Sequence, residues 1–224
     1  MYEKLYNALV ENDADISVCR FRYVGGHEDR NDKIAITDEV LSGKERLLEK
    51  RAADNACGWG YAWNKLYKKE IFSELRYPVG KAFEDDFIVH KLFWDVERVA
   101  CISYIGCNYI QRPTSITHAY KVNVLDEIES RFDRDDFFRA KHAPLKARYI
   151  NFVRCYYVMY GVYEHADFRH EPFVSKLRMF AKEMRKRNRA LLREPLSLSQ
   201  KVFLITNYIS PYYTWRLKNK IKKR

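Results

Sequence analysis

The stretch RYPVGKAFEDDFIVHKLFWDVERVACISYIGCNYIQRP, residues 76–113, decides how this chain is built. Tyr77-Pro78-Val79-Gly80 carries turn chemistry: proline presets φ, and glycine accepts left-handed backbone. Glu84-Asp85-Asp86 then opens a helix, FIVHKLFWDVE, so three carboxylates stand in one first turn. The helix macrodipole favours anions there. Residues 99–110 are rich in β-branched and aromatic side chains and read as one or two strands, broken near Gly106. Turn, helix and strand in succession make the unit of an α/β fold.

Working outward, residues 1–11 place Leu5, Leu9 and Val10 at helical spacing. Asn12 to Asp15 is a turn, and ISVCRFRYV, residues 16–24, is a strand. Ser42-Gly43-Lys44-Glu45 has the S-x-x-E pattern of a capping box, predicting a helix to about Asn55. WNKLYKKEIFSEL, residues 63–75, has helical periodicity through Leu66, Ile71, Phe72 and Leu75. Beyond a loop at 111–118, residues 122–164 read as helix interrupted near Pro144, and 172–193 as a basic helix. Residues 196–224 read as an amphipathic segment containing Pro211.

The composition narrows the class. The 224 residues are 47% hydrophobic and 32% charged, too apolar for a disordered chain. The five cysteines, Cys19, Cys57, Cys101, Cys107 and Cys155, form no C-x-x-C pair; this argues against a zinc ribbon or a disulfide scaffold and for a reducing compartment. The first residues are charged and amphipathic, unlike a signal peptide. No run approaches the roughly 18 apolar residues of a spanning helix. The expected location is cytoplasmic, with a peripheral position on the inner face of the cell membrane.

The net charge of +11 is uneven. Residues 175–224 hold 15 Lys/Arg against 2 Asp/Glu, a balance of +13, and the rest of the chain is −2. A nucleic-acid-binding domain would carry its cations on the folded body, so nucleic acid is not an expected partner. An anionic membrane surface is, through residues 202–224. There Leu204, Ile205, Tyr208, Ile209, Tyr212, Tyr213, Trp215 and Leu217 supply apolar and interfacial aromatic groups, and Arg216, Lys218, Lys220, Lys222, Lys223 and Arg224 supply charge.

Three segments carry chemistry. Trp63-Asn64-Lys65-Leu66-Tyr67 supplies an indole face, an amide and an ammonium, a mix suited to sugar or phosphate. Phe83-Glu84-Asp85-Asp86 supplies carboxylates, one of which can take a proton from a hydroxyl nucleophile. Tyr109-Ile110-Gln111-Arg112-Pro113-Thr114-Ser115-Ile116 supplies a guanidinium and hydroxyls able to hold a diphosphate. Taken singly, each has an ordinary reading: helix capping for the acids, core for Trp63, a solvated face for Lys65, a turn for Arg112-Pro113.

In this order the three segments resemble the second half of the catalytic domain of bacterial family 2 glycosyltransferases, which have the GT-A fold. The resemblance covers roughly residues 1–118 and implies an α/β fold: a partial GT-A, Rossmann-like domain over 1–118, followed by a helical, basic C-terminal extension over 119–224. It implies an inverting transfer of sugar from a nucleotide sugar to a glycan or lipid-linked acceptor in cell-surface polysaccharide synthesis. Asp85 matches the family's catalytic base, and Glu84 would orient it. Trp63, Asn64, Lys65 and Asp86 would line the substrate cleft. Arg112 and Ser115 would close over the diphosphate, and His118 would be a metal ligand or a phosphate contact.

The family's nucleotide-binding half, with the D-x-D that holds Mn²⁺ or Mg²⁺, has no counterpart in residues 1–118. Asp13-Ala14-Asp15 has the spacing but follows the opening helix, and reads as a turn. The expectation is a truncated or split product, short of about 90–100 residues on the scale of such a half. It would be inactive alone and completed by a separate N-terminal half. The alternatives are a non-catalytic remnant that binds a partner or glycan, and a basic-tailed nucleic-acid-binding protein.

Overall fold

The computed structural model describes residues 1–26, 31, 34, 36–42, 44, 48, 60–112 and 122–222. The chain divides into two compact units, Met1–His118 and Ala119–Arg224.

The first unit is a mixed α/β layer. Helix α1 (Tyr2–Glu11) leads into strand β1 (Ile16–Val24), followed by β2 (Glu39–Ser42), β3 (Lys65–Tyr67), a 3-10 turn (Lys69–Phe72), helix α2 (Glu84–Trp94) and β4 (Arg98–Ile110). The four strands lie in the order β2-β4-β1-β3. β1 and β4 are parallel, from Ile16 beside Val99 to Val24 beside Ile110, and β2 and β3 join antiparallel at the edges. Side chains alternate across the pleat. Ile16, Val18, Val99 and Cys101 therefore pack with Val89 and Phe93 of α2, while Ala100 and Ile102 face Ala8 of α1. Helices on both faces bury the near-continuous apolar start of β1.

Residues 99–110 form one strand, not two. The break expected near Gly106 is a bulge: Cys19 pairs with Ile102, Arg20 with Ile105 and Phe21 with Cys107, leaving Ser103, Tyr104 and Gly106 as the surplus on β4. Glycine is required there, because a Cβ on Gly106 would sit 2.5 Å from the Cys19 sulfur and 2.8 Å from Met1 Cγ.

The helix expected over 63–75 is absent. Its place is taken by β3, which pairs Leu66 with Ser17, and by the 3-10 turn. Burial explains the difference: Asn64 is fully enclosed and its side-chain amide donates to the Cys19 carbonyl at 2.9 Å, fixing the segment against β1 as an edge strand. Of the helix expected after Ser42, only Lys44 and Leu48 fall within the described residues, and both are helical. Among the described residues, Cys19, Cys101, Cys107 and Cys155 form no disulfide.

Among the described residues the second unit's regular elements are all helical: a 3-10 turn (Val122–Leu125), α3 (Asp126–Ala140), α4 (Leu145–His165), α5 (Phe173–Leu192), α6 (Leu198–Ile209) and α7 (Pro211–Lys222). Pro144 caps the start of α4 and Pro211 is the first residue of α7, positions where a missing N–H breaks no intrahelical bond. Ser197 and Gln200 form a reciprocal capping box at the head of α6. Leu125, Ile128, Phe152, Tyr156, Leu191 and Leu204 are fully buried. Two amides order this core: Asn188 Nδ2 donates to the Tyr156 hydroxyl and the Leu204 carbonyl, and the Tyr160 hydroxyl donates to Asn207. Arg187 is enclosed with Asp135 and lies over the Phe132 ring. Among the described residues no helix is long and apolar enough to cross a membrane.

Candidate functional site

The site is built on the first turn of α2. Phe83, which precedes it, has left-handed backbone (φ 56°, ψ 42°) and no side-chain cap. An L-residue holds that conformation at a cost of about 1–2 kcal/mol, a strain found where structure over-determines a functional position. Its carbonyl accepts the Asp86 amide at 3.0 Å, turning the chain sharply into the helix. Glu84 is then exposed, and Asp85 and Asp86 are half-buried.

Burial, with the negative charges of Asp86 and Glu84, pushes the Asp85 carboxyl up to about 6. The Asp86 amide and the Lys65 ammonium pull the other way. The macrodipole alone would favour the anion; desolvation and two neighbouring carboxylates outweigh it. A carboxylate poised near neutrality has the proton affinity a general base needs.

Four side chains interact electrostatically with Asp85. Lys65 is buried at the start of β3, and its ammonium donates to the Tyr61 carbonyl and, at 2.8 Å, to Asn64 Oδ1. Asn64 thus holds β1 with one end of its amide and Lys65 with the other. The phenols of Tyr61, Tyr67 and Tyr77 are all pushed up, mainly by burial, and the Asp85 charge contributes to each. Tyr67 and Tyr77 hydrogen-bond each other.

Beside this cluster is an aromatic platform. Trp63 lies flat against Tyr61 (ring centroids 5.0 Å) and against Tyr109 of β4 (5.4 Å, 4° between planes). Phe21 of β1 supports it edge-on at 4.9 Å from Trp63. Trp63 remains 36% exposed, so the platform meets solvent. Flat aromatic surface beside polar groups suits the apolar faces and hydroxyls of a sugar.

The structure brings together Asp85, Glu84, Asp86 and Lys65, with Trp63 and Asn64 flanking Lys65 along the chain. Arg112 is exposed, two residues past the end of β4. Ser115 and His118 lie outside the described residues. Sequence reasoning passed over Tyr61, Tyr67 and Tyr77. A usable signal was present in the two aromatics of Tyr61-x-Trp63, close in sequence just before the short strand β3.

Among the described residues no three His, Cys, Asp or Glu side chains converge on a metal position. Asp13-Ala14-Asp15 does not fit one. It is the turn between α1 and β1; Asp15 Oδ1 pairs with Lys68 at 3.1 Å, and Oδ2 accepts the Glu97 amide at 3.3 Å. A second D-x-D spacing, Asp133-Arg134-Asp135, lies within α3, where Asp135 is bound by Arg139 and Arg187.

No protein-family model matches the chain. It is 25% identical over 123 residues to glycosyltransferase GlyG of Streptococcus pneumoniae serotype 4 (strain ATCC BAA-334 / TIGR4). The chain is similar to a glycosyltransferase. The match takes in 52% of this chain and 40% of that protein, so the chain spans well under half of its relative's length.

Proposed function

We propose that Met1–His118 is the acceptor side of an inverting glycosyltransferase of the family 2, GT-A type, acting in cell-surface polysaccharide synthesis, with Asp85 as its general base. The observation that carries the reading is the Asp85 carboxyl, held at about 6 on a strained helix start beside a solvent-facing aromatic platform. The likeness to a glycosyltransferase supports it.

The chemistry follows from the positions. The acceptor sugar lies on Trp63, with a hydroxyl directed at Asp85. Asp85 takes that proton as the oxygen attacks the anomeric carbon of a nucleotide sugar. The bond from that carbon to the diphosphate breaks, and the configuration inverts. Lys65 keeps enough of Asp85 ionised at neutral pH, and Glu84 and Asp86 keep it basic. Asn64 positions Lys65. Arg112 and Ser115 take the diphosphate side. Donor half, metal and nucleotide are supplied from outside the described residues.

A second reading is favoured by the platform itself: a glycan-binding module that performs no transfer. Nucleoside diphosphate release from a panel of nucleotide sugars, run beside binding to a glycan array, separates the two. Release that requires both a nucleotide sugar and an acceptor supports transfer. Glycan binding with no release under any donor, including with a supplied donor-binding half, supports the module.

A further inference from the structure

We infer that the outer face of α5 and the exposed apolar stripe of α6 together form a docking surface for an anionic lipid bilayer; this does not rest on the glycosyltransferase reading. On α5 and its C-terminal cap, Arg178, Lys182, Arg185, Lys186, Arg189 and Arg193 are all exposed, spaced by four, three, one, three and four residues. That spacing puts six cations on one helix face. They line an open groove of about 750 Å³. Two acids beside them are already engaged: Glu183 forms an ion pair with Arg187, 2.8 Å from its Nε, and both oxygens of Asp136 accept from the same guanidinium at 2.7 Å. The face therefore keeps its positive charge.

The neighbouring helix presents the opposite chemistry. On α6, Leu198, Val202, Ile205 and Ile209 are 79%, 51%, 47% and 72% exposed, spaced by four, three and four. Such a stripe is one side of an amphipathic helix. Tyr208, adjacent to Ile209, ties the two surfaces together: Arg189 Nε donates to its hydroxyl at 2.8 Å and the guanidinium lies 5.4 Å from its ring centre. Past Ser210 the pattern continues on α7, with Tyr213 and Leu217 exposed beside Arg216 and Lys220.

The residues differ from those the sequence pattern selects. Leu204 is fully buried, and Tyr212 and Trp215 pack with Tyr163 inside the helical unit. What is left outside is narrower, and joined to a basic face the 202–224 pattern does not include. A nucleic acid would satisfy the cations and leave four aliphatic side chains in water. A bilayer with acidic headgroups satisfies both: cations at the phosphates, the stripe at the acyl boundary.

The test is flotation of the full chain with vesicles of phosphatidylcholine alone and with 30% phosphatidylglycerol, beside gel shift on duplex DNA and single-stranded RNA. The expected result is binding to the acidic vesicles only, partly resistant to 0.5 M salt. Arg178→Gln/Lys182→Gln/Arg185→Gln/Lys186→Gln should weaken it by roughly a hundredfold or more, at about fivefold per charge. Val202→Ser/Ile205→Ser/Ile209→Ser should weaken it by about tenfold and abolish the salt-resistant part. All seven positions are solvent-facing or partly so, and unchanged thermal melts check that both variants fold. Absence of vesicle binding, equal binding to neutral vesicles, or unaltered binding by the charge variant overturns the inference. So does nucleic-acid binding without vesicle binding, or a dimer that the serine variant dissociates.

Discussion

The Lys65 ammonium lies close enough to the Asp85 carboxylate to lower its proton affinity, against burial and the charges of Asp86 and Glu84, which raise it to about 6. Lys65 is enclosed and fixed by the Tyr61 carbonyl and Asn64. Replacing Lys65 with Met should raise the Asp85 pKa further and move the acid limb of any activity profile to higher pH. It should also cost about 1–3 kcal/mol of stability through the acceptors left unpaired. A ¹³C titration of the aspartate carboxyls reads the first effect; an Asp85 titration unchanged in Lys65→Met would mean the two groups do not interact.

Asp85→Asn should stabilise the fold at neutral pH. The folded carboxyl titrates near 6, above the unfolded value of 3.8. Between those values the folded state binds more protons, so stability falls as pH rises through the window. The cost of holding Asp85 is absent below about pH 4 and fully present above about pH 6. A shift of this size corresponds to an upper limit of about 3 kcal/mol. Denaturant melts of both proteins at pH 4 and pH 7.5 check it: the asparagine variant should gain at the higher pH and not at the lower.

These two groups show how far the sequence reaches. Glu84-Asp85-Asp86 at a helix start was legible, because the turn before it and the apolar run after it mark the boundary. That Asp85 sits above rather than below its ordinary pKa was not, since burial, the largest cause, is set by how the folded chain packs around the helix start and not by the local sequence. The long helices of the second unit were legible from their 3.6-residue period. β3 was not, because three residues carry too little period-2 signal and Leu66, Ile71, Phe72 and Leu75 mimic a helix. β2, four residues beside a capping-box pattern, was hidden in the same way.

Gly106→Ala should destabilise the first unit by about 1–3 kcal/mol, as overpacking does. The added Cβ would lie 2.5 Å from the Cys19 sulfur. Cys19→Ala in the same chain removes that atom, and the two changes should be less than additive. A chemical-denaturation cycle gives the coupling; strict additivity would place the strain elsewhere.

Arg187→Met should cost the helical unit about 3–5 kcal/mol. It leaves Asp135, 1% exposed, without the nearer of its two cations. Adding Asp135→Asn should recover part of that loss. Thermal unfolding of the single and double variants decides it, and no recovery would show that the unpaired Asp135 is not the source of the loss, leaving it to Asp136, Glu183 and the packing on Phe132.

The most direct measurement is the rate of sugar transfer by Asp85→Asn beside the wild-type chain, each completed with the same supplied donor-binding half and given the donor and acceptor that yield release with the completed wild type, with glycan binding recorded on the same preparations. General-base catalysis contributes about 10²–10⁴ in rate. The account predicts a loss in that range with glycan binding nearly unchanged. Transfer within a fewfold of wild type would contradict it.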